Sequence, residues 1–444
     1  MKNMFKRIYS FPRGGIQVHD PSVPPKDSSV TAFLPSLSVI PLTQHSGAQA
    51  LPLVSAGDIV REGMLIGRSK GAYSSNVHAT VPGRVIRIAT WKSSGNQIQE
   101  GILIRMKGSF EKLGKIEETF PWEGMLSYDI QRCISEYGVV EMEGTGRPVS
   151  DIISSFRNVP EPITLVVRCV FDDPWLAADY VLCKERTKDV VEGAAIAART
   201  CRVSRIVYAV SHREKELGDM FIEAGYKWGI PVSVVLVSSR YPQRNRRELE
   251  MVLRNYQRKE GLDLGSLFIL GPATLAAVYD AVKLRKPVLE RYITVGGTAV
   301  KNPRVMKARI GTRIGELINE CGGFKGTPKI TATGSPFLGR PVMDLNEPVI
   351  KTTFAIFANM DGYGTGGPEI NSSCIGCGEC RYVCPVGLDP EELYKGIQTK
   401  EKNPGRELNK AKNCHGCGCC ELVCPSALPL STEIIASVKW RAYD

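Results

Sequence analysis

The spacing of hydrophobic and polar positions changes from one part of the chain to the next. Up to about residue 124 the apolar runs are short and broken by Gly-Asp and Pro-Gly pairs. Ala56-Gly57-Asp58-Ile59-Val60-Arg61-Glu62-Gly63-Met64-Leu65-Ile66-Gly67 and Val77-His78-Ala79-Thr80-Val81-Pro82-Gly83-Arg84-Val85-Ile86 read as brief strands joined by tight turns. This predicts a small closed β-sandwich, with residues 21–26 as extended linker. Between 125 and 265 the apolar runs lengthen. Strands are predicted at 163–167, 205–210 and 232–237, with helices at 187–198 and 214–228 between them. Strand, helix, strand at this spacing predicts a parallel α/β layer. From 266 to 345, the runs at 291–297 and 311–318 predict a small α+β module. From 346 to 444, short helices at 389–400 and 430–440 surround a cysteine-rich stretch. The expected domains are therefore 1–124, 125–265, 266–345 and 346–444.

The first domain has the pattern of a lipoyl-type barrel-sandwich hybrid. No lysine stands between Val77 and Pro82, where a swinging arm would attach, so a docking or structural role is expected. His45 and His78 lie in this domain, and His78, which precedes a tight turn, is read as hydrogen-bonding to backbone. No run of 18 or more apolar residues predicts a transmembrane helix. Met1 to Arg13 is basic without a following apolar core, so no signal peptide is read there.

The cysteines change the picture most. Nine of the 14 fall between Cys374 and Cys424, while Cys133, Cys169, Cys183, Cys201 and Cys321 are scattered and read as buried free thiols. A cluster of cysteines in a long chain without a secretion signal points to metal rather than disulfides. Cys374-x2-Cys377-x2-Cys380-x3-Cys384-Pro385 is followed by Cys414-x2-Cys417-x2-Cys420-x3-Cys424-Pro425. This doubled spacing is that of bacterial two-cluster ferredoxins, in which the fourth cysteine of each run ligates the other cluster. Cys374, Cys377, Cys380 and Cys424 are thus expected to hold one 4Fe–4S cluster. Cys414, Cys417, Cys420 and Cys384 are expected to hold the second. Soft thiolates match an iron–sulfur core, and the full doubled pattern argues against zinc. Gly376, Gly378, Gly416 and Gly418 let the backbone approach the sulfurs. Cys419 is an extra thiol, read as a bystander or a substitute for Cys420, and His415 as a surface residue or sulfur hydrogen-bond donor.

The formal net charge of +11 is spread along the chain without a nucleic-acid motif. No nucleic-acid partner is expected. A basic surface instead suits an acidic redox carrier or an anionic membrane face.

The whole chain resembles the RnfC family, the C subunits of Rnf-type ion-translocating electron transport complexes. The resemblance is carried by Phe11-Pro12-Arg13-Gly14-Gly15-Ile16, by Ile40-Pro41-Leu42-Thr43-Gln44-His45-Ser46-Gly47-Ala48, by Ser238-Ser239-Arg240-Tyr241-Pro242-Gln243, by Ala277-Val278-Tyr279-Asp280-Ala281-Val282 and by the doubled cysteine motif. It implies a multidomain α/β and α+β fold. The parts are a barrel-sandwich hybrid, a Rossmann-like flavin and NADH domain, a soluble-ligand-binding β-grasp module and a helical two-cluster domain. It also implies a peripheral place on the cytoplasmic face of a membrane complex, with membrane and peripheral partner subunits. There the family passes electrons between NADH and ferredoxin-type carriers while partners move Na⁺ or H⁺.

The family's loop G-x-G-G-A-G-F-P-T reads here as Glu141-Met142-Glu143-Gly144-Thr145-Gly146-Arg147-Pro148-Val149, with Ile152 where a lysine is expected. The family's N-x-A-E-C-E-P reads as Arg168-Cys169-Val170-Phe171-Asp172-Asp173-Pro174. Glycine-rich loops cradle phosphate through unobstructed backbone amides, and Glu141 and Glu143 place like charge there. Gly144, Gly146 and Asp173 remain as candidate cofactor contacts. The departure predicts weakened or lost FMN and NADH binding. The competing reading is an intact NADH dehydrogenase subunit in which Arg147 reaches a phosphate. A cobalamin-reductase-like flavin/iron–sulfur enzyme and a non-redox scaffold are two further readings. Without NADH, a reduced ferredoxin or flavodoxin would supply the electrons.

Overall fold

The computed structural model describes residues 7–45, 47–92, 98–108, 118–337, 339–360, 373–399 and 410–441. Met1 to Lys6 of the basic N-terminus, Ser46 of the family stretch and Lys400 at the end of the helix read over 389–400 lie outside them.

The N-terminal strands close into a two-sheet sandwich. Leu37–Pro41, Ile98–Met106, Gly83–Lys92 and Ile59–Val60 form one antiparallel sheet. Leu51–Pro52, Leu65–Arg68 and Val77–His78 form the other. Ile40, Leu42, Ile66, Val81, Ile102 and Ile104 fill the space between them. The 77–82 stretch is buried throughout, so it is packed structure rather than an exposed tip.

The α/β domain is a four-stranded parallel sheet, in the order Val232–Val237, Arg205–Ser211, Ile163–Cys169, Ser266–Leu270. The boundary expected at 265 cuts this sheet, because Ser266–Leu270 pairs in register with Ile163–Cys169. Its Ser-Leu-Phe-Ile-Leu sequence is apolar on both faces, as strands of covered parallel sheets are. Helix Pro272–Lys283 likewise stays with this domain and packs on helix Thr187–Thr200. Gly193 makes the crossing possible, since a Cβ there would collide with the Leu275 carbonyl.

The third domain is a six-stranded mixed sheet. Its order is Val30–Thr31, Arg304–Arg309, Glu290–Gly296, Ala355–Asn359, Ile330–Thr333, Arg340–Pro341. Helix Ile314–Glu320 covers it through Ile314, Leu317 and Ile318. The boundary expected at 345 is also moved, because Ala355–Asn359 is wholly buried inside the sheet. The boundary at 124 is crossed from the other side, since Val30–Thr31 supplies an edge strand of the third domain.

The N-terminal segment binds the parts together. Tyr9 bridges Val237 at the edge of the parallel sheet, with Tyr9 N–H donating to the Leu236 carbonyl at 2.9 Å. Ile16 and Tyr241 exchange both backbone bonds, at 2.9 and 2.8 Å. Residues 9–16 therefore run from the sheet edge to the cysteine-rich domain.

Candidate iron–sulfur site

Each cysteine run builds the same local shape. Gly376 and Gly378 have φ of 71° and 76°, and Gly416 and Gly418 have φ of 69° and 77°. Only glycine adopts this conformation cheaply, so the turn geometry is written into both repeats. A short helix follows each, Glu379–Val383 and Cys419–Leu422. Cys384 and Cys424 come just after these helices, and the extended backbone at Cys384 turns its thiol away from its own run. Helices Pro390–Gln398 and Leu430–Arg441 pack against each other beneath the two loops.

The result is two separate cavities of similar size. Cys374, Cys377, Cys380 and Cys424 line the first. Cys384, Cys414, Cys417 and Cys420 line the second, joined by Cys419. The thiols of each set surround a space instead of meeting at one point, which suits a cubane better than a single tetrahedral ion. Backbone amides face the sulfurs: Gly376 N–H points to Cys374 Sγ at 3.4 Å and Leu388 N–H to Cys384 Sγ at 3.2 Å. Burial pushes the thiols of Cys380, Cys384, Cys414 and Cys420 up. Bound iron reverses this by holding the thiolates directly. The residues present therefore fit two 4Fe–4S clusters.

The two sites differ in their surroundings. Cys377 is exposed, and Ile375 and Tyr382 beside it are 69% and 78% exposed. None of the four cysteines of the second site is exposed. Tyr241 Oη donates to the Cys417 carbonyl at 2.7 Å, and its ring packs against Phe337. His415 is not a surface bystander. It sits 3.1 Å from the buried Glu248, and its other ring nitrogen lies 3.0 Å from Asn245 Nδ2. Cys419 is buried with Val18 and Tyr241 in the same apolar cluster.

Arg13, Gly14 and Gly15 also support the second site, a role that the residues taken singly do not reveal. Gly15 N–H donates to the Val383 carbonyl at 2.8 Å, and Arg13 lies against Gly387. Gly14 has φ of 63°, and a Cβ there would collide with the Cys384 backbone at 2.6 Å. The glycine pair after Arg13 is the signal in the sequence, since adjacent glycines mark a close backbone approach. Gly14→Val is therefore expected to lower the occupancy of the Cys384 cluster while sparing the other. Iron content falling from about eight toward about four per chain would show it.

The flavin-type loop is arranged differently from a phosphate cradle. Gly144 is exposed in a left-handed turn, and Gly146 packs on His45 and Thr352. Asp173 is buried and caps the turn Pro174–Leu176, accepting from Trp175 N–H at 3.0 Å. Burial lifts its carboxyl to about 6. Arg147, the expected phosphate contact of the competing reading, bonds the Asp151 carbonyl at 3.3 Å and lies 5.6 Å over the Tyr73 ring. The groups that do converge are charged. Arg168 Nη2 meets Glu143 Oε2 at 2.5 Å and Glu141 at 3.6 Å. Arg244 meets Glu143 at 2.6 Å and Asp179 at 3.5 Å, and Arg291 stands 3.9 Å from Asp179. Burial alone would raise the Glu143 carboxyl, but Arg244 and Arg168 hold it down to about 2. A carboxylate and its arginines occupy the loop where a phosphate cradle would need open backbone amides, so the residues present do not fit that group.

The barrel histidines are buried. His45 Nε2 is 3.2 Å from the Tyr73 carbonyl, and burial lowers the ring of His78 to about 3.

Comparison with known proteins places the chain. Residues 10–109 match the RnfC barrel sandwich hybrid domain, 134–280 the Nuo51 FMN-binding domain, 292–343 the SLBB domain and 369–428 the 4Fe-4S dicluster domain. The C subunit of the ion-translocating oxidoreductase complex of Rhodobacter capsulatus is 30% identical over 89% of this chain and 76% of its own length. This chain belongs to the RnfC family, the C subunits of ion-translocating oxidoreductase complexes. The C subunit of the proton-translocating ferredoxin:NAD(+) oxidoreductase complex of Clostridium ljungdahlii is 30% identical, over 86% of this chain and 83% of its own. Its Na(+)-translocating counterpart in Acetobacterium woodii is 27% identical, over 82% of each. Among solved structures, a NAD+-reducing NiFe-hydrogenase in the H2-reduced state shares the fold, with a TM-score of 0.50 and 13% identity. The match covers 71% of this chain and 62% of that one. No helix among the described residues is long and apolar enough to cross a membrane.

Proposed function

We propose that this RnfC-family chain relays electrons through two 4Fe–4S clusters within an ion-translocating oxidoreductase complex. The observation that carries this is the sorting of eight cysteines into two crossed sets around two separate cavities. Bound there, the clusters supply one-electron chemistry. The chain's own residues decide access and surroundings. The exposed Cys377, Ile375 and Tyr382 make the first site the face for exchange with a partner. Tyr241, Gly14 and the His415–Glu248 contact shield the second from solvent.

Cys374, Cys377, Cys380 and Cys424 are assigned to one cluster, and Cys414, Cys417, Cys420 and Cys384 to the other. The domain limits that follow from the sheets run from Leu37 to Met106 for the barrel and from Ser127 to Lys283 for the α/β domain. They run from Glu290 to Asn359, with the edge strand Val30–Thr31, for the third domain and from 373 onward for the clusters. The ferredoxin:NAD(+) oxidoreductase complexes of its relatives support partner subunits, in the membrane and peripheral to it, and a ferredoxin-type donor for this chain too. We place the chain on the cytoplasmic face of the membrane, held by its partners.

The test is electron delivery from a reduced ferredoxin or flavodoxin to the purified chain, followed by bleaching of the cluster absorption. With a chain charge of +11, the rate is expected to fall as salt rises. Bleaching by NADH alone, with no carrier present, would overturn the carrier-fed reading.

A further inference from the structure

Two separate departures from the family pattern meet in space. Glu143 stands where the family places a glycine, and Arg168 stands where it places an asparagine. They are 25 positions apart and in contact at 2.5 Å. At this depth each charge needs partners, and each change supplies one to the other. Glu143 is 4% exposed, and a buried charge without a partner is strongly unfavourable. Each supplies the other's counter-charge, and Arg244 completes the clamp.

The position of the carboxylate is specific. It lies directly over Gly271, the residue that precedes helix Pro272–Lys283, and a Cβ on Gly271 would overlap it. The first turn of a helix carries partial positive charge, so this end favours an anion through its field, although Pro272 supplies no N–H and Glu143 Oε1 accepts no hydrogen bond among the described residues. Thr274 in that same turn accepts from Met142 N–H at 2.9 Å, which ties the loop down. A helix end, two buried guanidinium groups and a glycine that leaves room form an anion pocket. The anion in it belongs to the chain.

We propose that Glu143 is an internal anion, its carboxylate permanently holding the place of a phosphate group in this domain. The loop has thereby exchanged a ligand site for an intramolecular ion cluster. Three carboxylates, on Glu141, Glu143 and Asp179, are balanced by Arg168, Arg244 and Arg291. Replacing Glu143 with glycine leaves Arg168 only Glu141 at 3.6 Å and Arg244 only Asp179 at 3.5 Å, so the buried cluster carries one positive charge in excess beside the helix end. That variant acquires a site for inorganic phosphate, or for the phosphate of a phosphomonoester such as FMN.

The experiment uses the full chain prepared anaerobically with its clusters, as wild type and as Glu143→Gly. The thermal midpoint is recorded in phosphate and in chloride of matched ionic strength, and FMN uptake is measured by equilibrium dialysis. The wild-type midpoint is expected to be the same in both salts, with no FMN retained. Glu143→Gly is expected to melt lower in chloride and to recover by roughly 5 °C in phosphate at a large excess over its dissociation constant. A folded Glu143→Gly protein indifferent to phosphate would overturn the proposal. Stoichiometric FMN on the wild-type chain would do so whether or not the variant folds. Iron content and visible absorption of the same samples report the relay separately, so loss of clusters and failure of the internal anion give different readings.

Discussion

Cys424→Ser is expected to remove the cluster that begins at Cys374, well upstream in the chain, and to leave the cluster of its own run in place. The geometry behind this is the crossing of the fourth ligands, Cys424 into the first cavity and Cys384 into the second. Single substitutions at Cys374 and Cys424 should leave the same surviving cluster, with the same electron paramagnetic resonance spectrum. Substitutions at Cys414 and Cys384 should leave the other. Pairs of substitutions sharpen the contrast. Cys374→Ser with Cys424→Ser removes one cluster and keeps about four irons per chain, whereas Cys374→Ser with Cys384→Ser removes both. A sequential arrangement, in which each run holds its own cluster, reverses these two outcomes. Iron and sulfide analysis on anaerobically reconstituted protein distinguishes them.

Lys351→Met is expected to have the largest effect away from the cysteines. Lys351 is 1% exposed, and its ammonium donates to the carbonyls of Asn76 at 2.8 Å and Gly138 at 2.7 Å and to Ser75 Oγ at 3.2 Å. Ser75 and Asn76 belong to the barrel, and Gly138 follows helix Ser127–Glu136 of the α/β domain. One side chain thus pins three parts of the chain at a single point. Methionine nearly matches its length but supplies no donor, and each buried oxygen left unpaired costs roughly 1–3 kcal/mol. A fall in the apparent thermal midpoint of roughly 5 °C or more follows.

The pH dependence gives the same residue a second signature. Burial pushes the Lys351 ammonium down to about 7. The unfolded chain therefore binds more protons at this residue than the folded one from about pH 7 up to about pH 10. Stability contributed by Lys351 rises with pH across that window, because the proton it prefers to lose in the fold becomes easier to lose. The midpoint of wild type minus that of Lys351→Met should climb between these limits. A flat difference would show that the ammonium is as comfortable inside as in water.

Much of this protein is legible before folding is considered. Cysteine spacing and the glycines between the cysteines name all eight candidate ligands, because a cubane loop needs thiolates at fixed intervals and a backbone in left-handed turns. The strands at 163–167, 205–210 and 232–237 are legible because a covered parallel sheet demands continuous apolar runs, a purely local property. Ser266–Leu270 falls to the neighbouring domain for the same local reason in reverse. A short apolar strand states that it is buried, not which sheet it joins.

What the sequence determined by itself was chemistry that is carried by residue type and spacing: the candidate iron–sulfur donors, the 77–82 hairpin without a lysine, and the glutamates of the 141–149 loop. What only the tertiary structure decided was the meaning of groups far apart in the chain. Glu143 and Arg168 read singly as two losses, and together they form one clamp. Arg13 and Gly14 read as a terminal motif, and in the fold they wall the cluster site at Cys384. Ion pairing and close backbone contact act over a few ångströms of space, and separation along the chain carries no record of them.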